Sequence, residues 1–318
     1  MNNQENIEGN SSASPKEALR ISHKQLLDQF SDGVPETSND VDFSIKQEPL
    51  FTRDGTPTNY WCNRRTDNGM PVGQVSEHYS VIEHRDLLDR TEMAFALQGL
   101  SNFKRDIVSY NYGARMASTY TFGNYVRKVK ANSMAKGDDL ALRISVRNSH
   151  DGSSQATFRV GMLRLVCTNG MTSLQNEISA NKRHKGVISL EYISLGVAQA
   201  VKQFEDSLML FGALANRKIM QREGVIILQS LANRKILSDR FHQEVAHVWN
   251  RPSYEADQDR NMYNLYNAVT ERISRKYDVK GQVEASDRIN NATLTAIASL
   301  SNNDDMFQHV MKSTVFSN

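Results

Sequence analysis

The chain has 318 residues and balances 38 Lys and Arg against 36 Asp and Glu, a formal net charge of +2. A composition 39% hydrophobic and 23% charged supplies a sizeable core and excludes a histone-like polycation or a strongly acidic chain. Two Cys exclude a disulfide-stapled scaffold and fit a reducing compartment. No long apolar run and no secretory signal pattern is present, so a cytoplasmic protein without a membrane partner is expected.

Near-neutrality hides an asymmetry. Residues 1–101 carry 9 basic and 16 acidic side chains, residues 102–185 carry 14 and 5, and residues 186–318 carry 15 of each. A middle segment with a net charge of +9 attracts polyanions even when the whole chain is near neutral.

Taken in order, residues 1–15 are rich in Asn, Ser and Gln and read as disordered. Ser14 and Pro15 make a helix start, with Leu19, Leu26, Leu27 and Phe30 as a partial apolar stripe. Residues 31–58 hold three of the six prolines and read as irregular linker. Residues 73–76 and 79–82 read as a short strand and its continuation. Residues 84–97 have helical spacing, and Gly99 suits the helix end. From 106 to 129 the rhythm is that of strands. Tyr110 and Tyr112 share one face, Tyr120 and Phe122 another, and Gly123-Asn124 reads as the turn of a hairpin. A second hairpin is clearer: residues 139–147 alternate, with Leu140, Leu142, Ile144 and Val146 on one side and Arg143, Ser145 and Arg147 on the other. A polar loop follows, and residues 156–166 return with Phe158 and Val160 in phase.

Beyond residue 186 the pattern turns helical, with a long amphipathic helix over 193–214 and another over 262–276. Gly224 reads as a break between helices. Residues 214–219 (LANRKI) recur at 231–236, an isolated echo and not a repeat array. The expected class is α+β: a mostly antiparallel sheet packed by helices, followed by a helical C-terminal region. The expected divisions are 1–60 (polar, partly disordered), 61–185 (β-rich and basic), 186–300 (helical) and 301–318 (polar tail).

The basic middle segment interleaves cations with aromatics. Arg127, Lys128, Lys130, Arg143, Arg147, Arg159, Arg164, Lys182, Arg183 and Lys185 are candidate phosphate contacts, and Tyr120 and Tyr125 are candidate stacking platforms. Single-stranded nucleic acid is held by this pairing, since cations neutralise phosphates and each stacked base adds roughly 1–3 kcal/mol. A solvated sheet face with its aromatics in the core gives the same pattern. The loop Asn148, Ser149, His150, Asp151, Gly152 and Ser153 is either a polar turn or a contact for phosphate or catalysis. Its three adjacent residues Ser149, His150 and Asp151 diverge too much to form a triad among themselves. Cys62 and Cys167 have no metal-ligand spacing, and His242 and His247, five apart, miss the geometry of a helical metal pair. No phosphate-binding glycine loop, dinucleotide fingerprint or nucleophile elbow is present, so no cofactor is expected.

The run Asn148 to Ser153, followed by Arg164, Leu165, Val166, Cys167, Thr168, Asn169 and Gly170, resembles the hallmark of the phage/plasmid-like proteins grouped as domain of unknown function 932. Val72, Gly73, Gln74 and Val75 with Tyr79 resemble that family's opening strand. Residues 264–271 (NLYNAVTE) resemble its closing helix, so the resemblance covers roughly 70–275. It implies a gene of phages and mobile elements acting in the host cytoplasm, near DNA metabolism, and it carries over no catalytic residue. The expected function is therefore a DNA-metabolism protein that binds single-stranded DNA or RNA, promotes annealing or recombination, and forms homo-oligomers. Two alternatives stay open: a nucleic-acid- or nucleotide-processing enzyme using the 148–153 loop, and a non-catalytic interaction protein.

Overall fold

The computed structural model describes residues 37–129, 138–165, 170–172, 189–276 and 283–313. Every strand pairing among them is antiparallel. Strands β2 (Ile45–Phe51), β3 (Pro57–Arg65) and β4 (Pro71–Ser76) form a three-stranded sheet in that order. The larger sheet has the order β1-β5-β6-β7-β8-β9, built from β1 (Thr37–Ser38), β5 (Phe103–Tyr110), β6 (Arg115–Val129), β7 (Asp138–Ser149), β8 (Thr157–Arg164) and β9 (Gly170–Thr172). The helices are α1 (His84–Leu97), α2 (Leu190–Asn216), α3 (Gln221–Asn233), α4 (Asp239–Asn250), α5 (Met262–Lys276), α6 (Val283–Asn302) and α7 (Asp304–Ser313). The α+β expectation stands, with strands gathered toward the N-terminal half and six of these seven helices beyond residue 186.

Alternation decides the two faces of the large sheet. Met116, Tyr120 and Phe122 on β6, Leu140, Leu142, Ile144 and Val146 on β7, and Phe158 and Met162 on β8 point inward. They merge with Leu87, Leu88 and Phe95 of α1, Ile193, Val197 and Phe204 of α2, and the helices beyond into one continuous core. The opposite face carries Thr119, Thr121, Arg143, Ser145, Arg147 and Arg159, all partly exposed, and the buried Thr157. Helices thus cover one side of this sheet, and its hydroxyl-rich, basic side faces away from them. Helix α5 runs through the core with all its residues from Met262 to Glu271 buried.

Several expectations change. Residues 45–51 and 57–65 are strands, not linker. Pro57 opens β3, and Pro49 lies on an edge strand at a register shift, where a missing N–H costs little. Strand β3 crosses the boundary drawn at residue 60. Residues 79–82 carry no strand. Gly123-Asn124 is not a hairpin turn: β6 runs straight through it, with a register shift against β7 between Thr121 and Val126. The true turn lies earlier, at Asn111, Tyr112 and Gly113, all with positive φ, so Tyr112 leaves the strand face of Tyr110. Gly224 does not separate helices but sits inside α3 against the Trp249 indole, which donates to the Gln221 carbonyl at 2.9 Å. The two LANRKI copies do the same job in two places: α2 ends at Asn216 and α3 at Asn233, and the following Arg caps each helix C-terminus. The helix expected after Pro15 lies outside the described residues.

Candidate functional site

The register of β6, β7 and β8 builds a basic surface. Arg147 lies opposite Ala117 and Thr157, and Arg159 lies opposite Ser145, itself opposite Thr119. Arg143 lies opposite Thr121 and Gly161. Directly opposed residues of an antiparallel sheet share a face. Arg143 and Arg147 are therefore about 13 Å apart along β7, with Arg159 one strand over between them. Each is half-buried and already engaged in a further interaction, so a ligand has to join or displace an existing contact. The same face carries Arg115, Lys104 and Lys128. These are neutralised nearby: Arg115 by Asp151 at 2.7 Å, Lys104 by Asp106 at 3.1 Å, and Lys128 by Asp139 at 3.3 Å.

Other expected contacts fail on geometry. Arg164 is 1% exposed. Its two terminal nitrogens grip Asp257 at 2.8 Å each, and its Nε bonds Asp138. Tyr263 donates to Asp138 at 2.9 Å, and Asn267 to Asp257 at 3.1 Å. Burial opposes the charge on Arg164, but the hydrogen bonds and charge of Asp257, with Asp138, outweigh it and hold the guanidinium firmly protonated. Arg164 clips the end of the sheet to the segment just before α5 and has no surface for a phosphate. Tyr120 is wholly buried among Phe95, Phe103 and Phe122, so no base can stack on it. Its phenol, pushed above the ordinary value first by burial and then by the Glu92 charge, bonds Glu92 at 3.1 Å. Tyr125 turns to the helix side, where it bonds Glu205 at 3.0 Å and packs on Phe204. Arg127 follows it, lying over the Tyr125 ring and pairing with Glu205 at 3.2 Å. Lys130, Lys182, Arg183, Lys185, Cys167 and Asn169 lie outside the described residues. Gly170 opens β9 opposite Leu163.

The 148–153 loop is a junction between the two sheets. Asn148 donates to the Ile82 carbonyl at 2.7 Å and to Nδ1 of His84 at 3.0 Å. That acceptor role leaves the His84 proton on Nε2, which donates to the Gly113 carbonyl at 3.0 Å. His150 donates to the same Ile82 carbonyl at 3.1 Å, and its ring stacks on His84 with centroids 3.7 Å apart. Phe43 meets both rings edge-on, and Arg65 lies 3.7 Å over Phe43. From the small sheet, Asn63 donates to the His150 carbonyl at 2.6 Å; Tyr79 donates to the Ser149 carbonyl at 2.6 Å. Gly73 presses on the loop so closely that a Cβ there falls 2.5 Å from the Asp151 Cα. Asp151 is pushed up by burial, but hydrogen bonds from Ser153 and then Arg115 outweigh that and hold its carboxyl below the usual value. Ser149 donates to the Ser154 carbonyl at 2.8 Å, so each loop side chain from Asn148 to Asp151 makes at least one contact within the protein. The residues that complete the junction, Phe43, Asn63, Gly73, Tyr79, His84 and Arg115, are scattered over 73 positions of sequence. Gly73 and Tyr79 alone carried a signal, through the family pattern.

A family model described as Domain of unknown function (DUF932) matches residues 71–295. The chain belongs to this family. The match spans the junction loop, the basic sheet and the buried α5, and begins at the first residue of β4. No curated protein and no solved structure matches the chain. Among the described residues no group of His, Cys, Asp and Glu is placed to hold a metal, and no helix is long and apolar enough to cross a membrane.

Proposed function

We propose that this protein binds nucleic acid through the phosphodiester backbone, on the face of the large sheet that turns away from the helices. The observation that carries the reading is the cross-strand placement of Arg143, Arg147 and Arg159 on one face, amid Thr119, Thr121 and Ser145. Guanidinium groups bond phosphate in a two-pronged way, and hydroxyls add neutral donors. The stacking aromatics first expected are turned inward, so charge and hydrogen bonding carry the contact, and base identity is not read. A single strand is the favoured ligand, because it can follow a twisted sheet that a stiff duplex meets along a short arc.

Three cations set the scale. Displacing counterions from about three phosphates gives a slope of roughly −2 in log affinity against log salt for a single strand, and dissociation constants of about 10⁻⁴–10⁻⁶ M at physiological salt. Fluorescence anisotropy with labelled single-stranded DNA, duplex DNA and RNA of one length, read across a salt series, tests this. Salt-sensitive binding of all single strands irrespective of sequence is expected. No binding at low salt, or binding indifferent to salt, rejects the proposal.

A further inference from the structure

Among the described residues the β5 strand leaves an open edge. On the side away from β6 it pairs with β1 at Ser109 and Tyr110 alone, so among the described residues the stretch 103–108 has no strand partner there. An exposed edge presents a row of N–H and C=O groups that template another strand, and charged side chains ordinarily ward such pairing off. Here the charges have a different property: the sequence Phe103-Lys104-Arg105-Asp106-Ile107 is its own antiparallel complement.

We infer that β5 is a homodimer edge, pairing antiparallel with β5 of a second copy about a two-fold axis at Arg105. Such an axis stands perpendicular to the sheet and keeps opposed residues on one face, which leaves few registers. Centred on Arg105, Lys104 of each copy opposes Asp106 of the other on the basic face, and Phe103 opposes Ile107 on the helix side. Centred on Lys104 or on Asp106, like charges meet at the axis on the exposed face and both cross-strand ion pairs are lost. In the favoured register the two Arg105 groups meet on the helix side, each already neutralised by Glu92 of its own α1. Phe103 and Ile107 are partly buried against the core, and a facing strand completes their cover. Lys104 and Asp106 are 78% and 59% exposed and pair with each other at 3.1 Å within one strand, so each can exchange that partner for its counterpart across the seam. The ends fit as well: the backbone turns at Asn102, φ +55°, where the second copy runs out, and β1 takes over the edge at Ser109. The result is one continuous sheet with both basic faces on the same side.

Five residue pairs make a small interface, so the dimer is concentration-dependent. Sedimentation velocity of the full chain over a wide concentration range is expected to show a monomer–dimer equilibrium. Lys104→Asp and Asp106→Lys each place like charges opposite one another twice, and each is expected to weaken the dimer roughly tenfold or more. The double variant restores opposite charges and is expected to recover the wild-type constant within about threefold. Both positions are exposed, so circular dichroism is expected to be unchanged. A chain monomeric at all concentrations, a dimer indifferent to the single swaps, or a double variant as weak as the singles overturns the inference. The Arg143, Arg147 and Arg159 alanine variant is expected to dimerise normally, which separates this edge from the nucleic-acid reading.

Discussion

Arg164 and Arg143 show how differently one residue type behaves in neighbouring strands. Arg164 shares strand phase with Phe158, Val160 and Met162, so it points inward and must be met by Asp138 and Asp257; Arg143 is out of phase with Leu142 and Ile144 and points outward. Replacing Arg164 with Met strands two buried carboxylates, and a loss of about 3–5 kcal/mol in urea unfolding is expected. The same replacement at Arg143 is expected to cost under about 1 kcal/mol. The inward phase of Arg164 was visible in the alternation, as was that of Tyr120 beside Phe122. What the alternation could not show is that carboxylates 26 and 93 positions away complete the Arg164 site. The depressed Asp151 carboxyl makes a pH prediction. Its folded value lies below its unfolded one, so its contribution is present above the usual carboxylate range and is lost as the pH falls through and below that range. Asp151→Asn is expected to flatten the acid limb of the stability profile, read by thermal melting. An unchanged acid limb contradicts the role given to Arg115 and Ser153.

Among the elements, helices α1 and α5 were legible to the residue because their apolar positions recur at 3.6 spacing between clear ends. The β6–β7–β8 meander was legible from alternation, but its bulge was mistaken for a turn, since Gly-Asn is the usual signal of a tight hairpin. Strands β2 and β3 were illegible because Pro49 and Pro57 read as breakers, although an edge strand and a strand start both tolerate proline. Gly224 shows the same ambiguity in a helix. Its absent side chain is filled by the Trp249 indole, which locks α3 to α4. Gly224→Ala gains helix propensity worth about 1 kcal/mol but drives a methyl into that ring. Overpacking costs about 1–3 kcal/mol, so the clash wins and net destabilisation is expected, with altered tryptophan fluorescence. A stabilised variant contradicts this packing.

At the scale of the molecule, the family match runs over the sheet junction, the basic face and the buried helix together. Of the motifs that carried the resemblance, 148–153 ties sheet to sheet, Arg164 of 164–170 grips Asp257, and Asn267 of 264–271 bonds the same carboxylate. The proposed nucleic-acid surface is the outward face of the large sheet. Arg143, Arg147 and Arg159 on that face stand opposite the core, while Arg127, equally basic by sequence, lies on the helix side against Glu205. That contrast supplies an internal control. In anisotropy titrations with a labelled single strand at low salt, the triple variant Arg143→Ala, Arg147→Ala, Arg159→Ala is expected to lose affinity and to flatten the salt slope from roughly −2 toward zero. Arg127→Ala is expected to stay within about twofold of wild type. A folded triple variant that binds as wild type does, or a loss as large from Arg127→Ala, contradicts the account.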